Sequence, residues 1–309
     1  MHQAAVAEAG VSPLRYRMSR AINLFLAKRL GIARVPAIRI ARLLNVAARP
    51  ADHLRRRRLA EAASSAITIP ADHGFAFVLP HQVPELPAAV AEAAGVFAGS
   101  GEAGLKRNDG GTSRKDFLLN ASEGAAMSRH SAIMRLAVSR PVLDSVTRYL
   151  REVPIVSNIS LLVSVPNQSQ VGSQLYHLDF ADEKQVKFFI YVDAVDQDSG
   201  PFTFVPAKLS ERIAAQFRYD RGRLDLEDVK RAAGLGGEIA VTGPAGTAVL
   251  IDTSRCLHYG SNRNKSVRVA LMIQYTSHAV PEQPPVAWPV EDLARRLQLD
   301  DVQRLALSL

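Results

Sequence analysis

A single cysteine, Cys256, stands in the 309 residues, so the chain can close no internal disulfide and build no cysteine-based zinc cluster. No stretch reaches the ~18–20 apolar residues of a membrane span. The first dozen residues lack a basic start followed by an apolar stretch, which speaks against a secretory signal. Together these absences point to a cytoplasmic protein. Acidic residues are scarce at the N-terminus: residues 1–60 carry 13 Lys/Arg against only Glu8 and Asp52, a net +11. The remainder holds 25 Lys/Arg against 28 Asp/Glu, a net −3, so the main body is slightly acidic and the basicity belongs to one segment. Aromatic stacking residues are sparse in that segment, which argues against nucleic acid as its partner. No internal repeat, low-complexity tract, phosphate-cradling glycine loop, dinucleotide fingerprint or Ser-His-Asp pattern is present.

What is present divides into a helical N-terminal part and a β-rich body. Residues 13–62 read as helix, with Ile22, Phe25, Leu26 and Leu30 at helical spacing between basic residues, and a charge run at Arg55–Arg58. Residues 66–80 read as short strands and turns, and residues 87–98 and 129–139 as helices. Ser139 is placed to cap a further helix with Pro141 in its first turn. From residue 154 onward the pattern changes. "PIVSNISLLVSVP", "VKFFIYVDAV", "FTFVP", "EIAVTGPAGTAVLIDTS", "CLHYGSN" and "VRVALMIQYT" read as strands separated by Gly/Pro turns. Two helices, 208–219 and 225–233, interrupt them, the second with Asp225 as N-cap and Gly234 as stop. A proline-rich stretch at 282–288 leads into an amphipathic helix over 290–308. Such a series of short strands implies a sandwich or barrel of the jelly-roll kind.

One short stretch, "LYHLDF", carries the chemistry. His177 and Asp179 are two positions apart, and on an extended segment alternate side chains reach the same side. Alone, such a pair is an ordinary polar strand end. His258, 81 residues on and in the second β cluster, completes two histidines and a carboxylate, the set that occupies one face of an octahedral metal. It leaves three adjacent positions open and suits non-haem Fe(II), with a bidentate co-substrate and O2 as the remaining ligands. Ten residues past His258, Arg268 lies on a strand whose same-face neighbours are Ala270, Met272 and Gln274. An arginine inside a barrel needs an anionic partner. In "VKFFIYV", Val186, Phe188, Ile190 and Val192 make an all-apolar face expected to pack on helices. Lys187, Phe189 and Tyr191 make a mixed face expected to line the interior.

These residues together resemble the phytanoyl-CoA dioxygenase family of Fe(II)/2-oxoglutarate oxygenases. The resemblance covers roughly residues 155–276 and rests on "YHLDF", on "VKFFIYVDAVDQDSGPFTFVP", and on "HYGSNRNKSVRVAL". It implies a double-stranded β-helix core with outer helices. It implies Fe(II) held by His177, Asp179 and His258, and 2-oxoglutarate held at its distal carboxylate by Arg268 with Phe189 packed against it. The implied reaction uses O2, converts 2-oxoglutarate to succinate and CO2, and hydroxylates a C–H bond of a small organic or lipid-like substrate. A carboxylate at position 179 speaks against halogenation, which in related enzymes needs that ligand position vacated. The chain departs from the family at Ala207-Lys208-Leu209, where Gly-Ser-His is usual, and at Gly260, where a hydroxyl is frequent and Ser261 follows one later.

Lys187, Tyr191 and Ser261 are further candidates for co-substrate binding, and Gln174 and Asn158 for substrate or co-substrate contacts. Cys256 reads as core packing; His73 and His278 read as surface or loop residues. The expected division is a basic helical segment, 1–65, ahead of an oxygenase domain, 66–309. Residues 13–62 are also suited to an anionic membrane surface, against which stand a solvated arm or a helical cover for the barrel. Two other functional readings are open at this level. A non-haem iron or cupin-type enzyme that dispenses with 2-oxoglutarate is opposed by Arg268, and a non-catalytic membrane-associated binding protein by the complete triad.

Overall fold

The computed structural model describes residues 33–107, 116–279 and 286–308. Its strands are β1 (Phe75–Val78), β2 (Lys106–Arg107), β3 (Leu118–Glu123), β4 (Ile155–Ser164), β5 (Val186–Tyr191), β6 (Thr203–Phe204), β7 (Ile239–Ala240), β8 (Ala248–Asp252), β9 (His258–Tyr259) and β10 (Arg268–Thr276). Its helices are α1 (Arg34–Ala48), α2 (Pro50–Glu61), α3 (Leu86–Gly104), α4 (Ser131–Ala137), α5 (Arg140–Leu150), α6 (Ala207–Gln216), α7 (Leu226–Ala233), α8 (Val290–Leu297) and α9 (Asp301–Leu307). The larger sheet runs β1-β8-β5-β10-β4-β3-β2 and the smaller β7-β6-β9. Every pairing is antiparallel. The two sheets form a double-stranded β-helix with helices on the outer face of the larger one.

Alternation sorts the side chains as their chemistry requires. Val186, Phe188 and Ile190 of β5 join Leu271, Ile273 and Leu250 in one core, shared with Ala89, Leu136, Val142, Val146, Leu293 and Leu305 from the outer helices. The opposite face turns Tyr191, Val249, Ile251 and Ala270 toward Phe202 and Phe204 of the smaller sheet. A one-residue slip of β5 would exchange these faces, which is why its register is strongly specified. Phe188 is wholly buried, so truncation to Ala would cost about 3–5 kcal/mol.

Local signals hold in most places and fail in four. Asp225 accepts hydrogen bonds from the backbone N–H groups of Glu227 and Asp228, and Gly234 ends α7 at φ 74°. Ser139 precedes α5 as expected, but its side chain makes no capping bond and its hydroxyl is buried without a partner. The expected single helix over 290–308 is two, because Gln298 turns left-handed and Asp300 opens a new helix with a reciprocal Gln303 capping box. The N-terminal helix, where described, breaks at Arg49 so that Pro50 opens α2; residues 13–32 lie outside the described residues, as do 282–285. "LYHLDF" is not a strand but an extended loop with isolated bridges at Tyr176 and His177.

The charge run at Arg55–Arg58 is not uniformly solvated. Arg56 is 1% exposed and donates to the carbonyls of Val153, Pro154, Leu305 and Ser308 and to Asp52. One guanidinium thereby satisfies four carbonyls at the ends of separate segments and ties α2 to the start of β4 and to α9.

Asp252, at the end of β8, is wholly buried and accepts from the Tyr149 hydroxyl at 2.7 Å and from the backbone N–H groups of Gln185 and Ser254. Burial pushes its carboxyl up to about 6 against the lowering effect of those donors. Asp182, also buried, is raised to about 6. A carboxyl with a raised folded-state pKa holds its proton more tightly folded than unfolded, so stability falls as pH rises from about 4 to 6 and stays lower above. Asp252→Asn keeps an oxygen for the two N–H donors and removes the charge. Compared with the parent by urea unfolding across pH 4–7, this change should remove the Asp252 contribution, roughly 1–3 kcal/mol, from the pH dependence.

Candidate metal centre

Two chain segments that bear histidines meet through their backbones. His177 N–H donates to His258 O at 3.1 Å and His258 N–H returns the bond to His177 O at 3.0 Å. Asp179 N–H is held by Thr253 O at 2.9 Å, and Leu178 N–H by the Tyr219 hydroxyl at 3.2 Å. The loop is thus pinned on both sides of the triad carboxylate. The imidazole centroids lie 4.3 Å apart. The Nδ1 atoms of His177 and His258 sit 2.9 Å from the carbonyls of Leu175 and Cys256. A carbonyl only accepts, so each Nδ1 carries the hydrogen and each Nε2 keeps a lone pair for a ligand.

Asp179 completes the cluster: one ligand-capable atom from each of the three residues lies within 4.8 Å of the others. Its Oδ2 is 3.8 Å from His258 Nε2, 2.8 Å from Lys187 Nζ and 3.3 Å from Gln185 Nε2. Burial lowers both imidazole pKa values, and His258 lowers that of His177 further. Burial alone would raise the Asp179 carboxyl, but Lys187 and the two imidazoles outweigh it and hold the group well below the usual carboxylate range. Two neutral imidazoles and an ionised carboxylate are the protonation states that metal binding requires. Two imidazoles and a carboxylate without thiolate suit divalent transition ions, Fe(II) among them.

Beside the triad lies the inward face of the larger sheet. Lys187, Phe189 and Tyr191 of β5 stand opposite Gln274, Met272 and Ala270 of β10, and these opposite Asn158, Ser160 and Leu162 of β4. Arg268 opens this face on β10, opposite Ser164. It is 7% exposed; its Nη1 donates to Gly200 O at 2.5 Å and its Nη2 to Ser164 Oγ at 3.0 Å. Its Nε has no hydrogen-bond partner, and among the described residues no carboxylate pairs with it. A buried guanidinium without a carboxylate carries a large desolvation cost, which a bound anionic ligand would offset. The guanidinium also passes close to Gly260, two residues beyond His258, so the two features share one region.

The other sequence candidates fall in distinct places. Phe189 stacks on Phe202 with centroids 4.4 Å apart, and Phe202 in turn lies 5.6 Å from the His258 ring. Phe202 was not singled out from sequence, although its place in "GPFTF", just after the turn that meets Arg268, is a usable signal. Tyr191 donates to Val241 O, accepts from Phe202 N–H and stands beside Arg268, so it supports that arginine. Asn158 is half-buried on the inward face and donates to Ser160 Oγ. Ser261 is buried at φ 63°, and its hydroxyl has no partner. Gln174 is a correction: its amide is committed to Asn167, Ser169, Val171 N–H and Ser261 O, so it holds the loop together and has no capacity left for a ligand. His278 lies in a turn as expected but not at the surface, being 3% exposed beneath α2. Cys256 is buried as expected, and burial pushes its thiol pKa up.

No family model matches the chain, and no curated protein matches it in sequence. Among solved structures it is similar to the non-heme alpha-ketoglutarate-dependent carbocyclase SnoK from nogalamycin biosynthesis, at 20% identity over 71% of this chain and 85% of that one, TM-score 0.46. It is similar to EctD from S. alaskensis, solved with 2-oxoglutarate and 5-hydroxyectoine, at 16% identity over 71% and 75%, TM-score 0.48. AviO1 from Streptomyces viridochromogenes Tue57 is similar at 16% identity over 72% and 100%, TM-score 0.47.

The Asp-Ser-Gly-Pro turn aims the carbonyl that Arg268 binds. Asp196 accepts from Asp198 N–H, Ser199 N–H and the Ser199 hydroxyl, and Gly200 follows at φ 63°. A Cβ on Gly200 would lie 2.7 Å from Asn264 Cβ. Gly200→Ala should therefore destabilise the fold by about 2–4 kcal/mol, through the strained dihedral and the clash together. Thermal melting checks it; an unchanged midpoint would contradict the turn geometry.

Proposed function

We propose that the protein is an Fe(II)- and 2-oxoglutarate-dependent oxygenase of the phytanoyl-CoA dioxygenase type, hydroxylating a C–H bond of a small organic or lipid-like substrate. One observation carries the reading. A preorganised His177/Asp179/His258 cluster and a buried arginine without a carboxylate lie in one region of the barrel. A dicarboxylate co-substrate would give Arg268 the anionic partner that Gly200 and Ser164 do not supply.

His177, Asp179 and His258 would hold the iron, which when bound would supply O2 activation coupled to oxidative decarboxylation of the keto acid. The chain's share is positioning and charge. The Leu175 and Cys256 carbonyls keep both imidazoles in the ligating tautomer. Lys187 keeps Asp179 ionised and fixes its orientation. Arg268 offers Nε and the outer edge of its guanidinium to a distal carboxylate, its other donors being anchored on Gly200 and Ser164. Phe189 and Phe202 provide an apolar wall that excludes water beside His258.

Charge-assisted bonds to a guanidinium are worth roughly 1.5–3 kcal/mol each. Arg268→Ala should weaken 2-oxoglutarate binding by about ten-fold or more while leaving iron content largely intact. Asp179→Ala should lose most iron and all succinate formation. Anaerobic Fe(II) and 2-oxoglutarate titrations measure the two separately. Unchanged co-substrate affinity in Arg268→Ala would return the reading to an iron enzyme that does not use 2-oxoglutarate.

A membrane-surface role for the N-terminal segment is a second reading, favoured by exposed leucines. On α1, Ala37, Ile38 and Ala41 are buried, whereas Leu43 is 67% exposed and Leu44 50%. Leu54 on α2 is exposed beside the exposed Arg55, Arg57 and Arg58. Apolar side chains next to exposed cations suit an anionic headgroup layer. No described helix is long and apolar enough to cross a membrane. Flotation with phosphatidylserine vesicles at low salt should carry the protein upward, and Leu43→Ser/Leu44→Ser should reduce that fraction several-fold. Absence of binding at low salt refutes it.

A further inference from the structure

Away from the barrel interior, three chain segments bring together a second set of two imidazoles and a carboxylate. His53 lies in the first turns of α2. Glu152 follows α5, whose end is set by Arg151 in the left-handed region at φ 62°. His278 stands two residues beyond β10. One ligand-capable atom from each lies within 4.8 Å of the other two. Glu152 Oε1 is 3.5 Å from His278 Nδ1, and Glu152 Oε2 is 3.5 Å from His53 Nδ1.

Against burial, His278, Arg42 and Ser277 hold Glu152 ionised, but the contacts leave several ring nitrogens without a close partner. The His278 side chain is 0% exposed, and neither ring nitrogen has a hydrogen-bond partner. His53 Nδ1 and Glu152 Oε1 are likewise buried without one. Buried ring nitrogens and carboxylate oxygens are rarely left so. A proton shared between Glu152 and His278 would require a closer approach than 3.5 Å, and it would still leave His278 Nε2 and His53 Nδ1 unsatisfied. Donors about 2.0–2.2 Å from one ion stand roughly 3–3.5 Å from each other in tetrahedral or octahedral coordination, so the three groups, now within 4.8 Å of one another, would close slightly around an ion.

Charged side chains surround the cluster. Arg42 approaches Glu152 only at Oε2, at 3.4 Å, and shares itself with Asp182 at 3.8 Å. Arg49 and Arg56 both face Asp52. Arg49 also donates to His278 O at 2.9 Å and Arg57 lies near His53, so four guanidiniums face three carboxylates, while Glu152 Oε1 remains directed at His278. The His53 side chain is 18% exposed, although its Nδ1 is buried.

We infer that His53, Glu152 and His278 form a second metal site, for Zn2+ or a divalent ion of its class, that fastens α2 to the barrel. The three residues belong to segments 99 and 126 positions apart, so the bound ion would close two long loops at once. The inference is independent of the function proposed above. The donor set, imidazole with one carboxylate and no thiolate, suits Zn2+ or Ni2+ more than Ca2+ or Mg2+.

The test uses the full chain carrying His177→Ala and Asp179→Ala, which removes the catalytic cluster as a competing site. Isothermal titration with Zn2+ should find one equivalent bound, and a hundred-fold excess over Kd should raise Tm by about 5 °C. Adding His53→Ala, at a partly exposed position where folding is readily preserved, should abolish the equivalent and the Tm shift, with circular dichroism confirming the fold. Co2+ in place of Zn2+ should give visible absorption that the same change removes. No bound equivalent in the first variant, or an equivalent that survives His53→Ala, overturns the assignment. Loss of 2-oxoglutarate turnover plays no part in this readout, so the two readings fail separately.

Discussion

The reciprocal backbone bonds between His177 and His258 are the constraint on which the candidate centre depends. They join a loop to a two-residue strand 81 positions later, and each imidazole is then oriented by a carbonyl two residues before it. Orientation by backbone is economical, because a carbonyl cannot rotate away as a side chain can. The metal-facing nitrogens are therefore chosen by main-chain geometry before any ion arrives. Asp179 obeys the same rule through its own N–H on Thr253 O.

The interior of the barrel balances charge in two different ways. Lys187 and Asp179 answer one another directly, so that pair is stable without a ligand. Arg268 is anchored on neutral oxygens only, and its remaining donors face the interior. The asymmetry is informative: a buried cation held on neutral groups stores an unmet demand for an anion, whereas an ion pair does not. Gly200 makes the arrangement possible, since only a residue without a side chain turns its carbonyl toward the guanidinium beside Asn264.

Arginine does different work at the N-terminus. Arg56 in α2 collects carbonyls from the start of β4 and the end of α9, and Arg39 pairs with Glu183 in the loop that follows the triad aspartate. The basic residues that sequence groups as one charge run are thus divided by the fold into buried structural donors and exposed surface cations. The division follows the helical period, because Arg56 faces inward while Arg55, Arg57 and Arg58 face out.

Alternation and residue type alone made the strand faces legible and named His177, Asp179, His258 and Arg268 as candidates, which the fold brings into one region. A β-strand has only two faces, and the chemistry of HxD, a distal histidine and an arginine ten residues later is local enough to read in one dimension. Helix ends such as Asp225 and Gly234 were legible for the same reason, since a cap acts over three or four residues. The tertiary structure decided what depends on partners distant in the chain. Gln174 looks like a free amide until Asn167 and Ser261 occupy it. His278 looks like a loop residue until α2 and Glu152 close over it. Phe202 becomes part of the centre only when β6 folds across Phe189. Burial and hydrogen-bond satisfaction are properties of the packed chain, and no local pattern encodes which groups arrive from a hundred residues away.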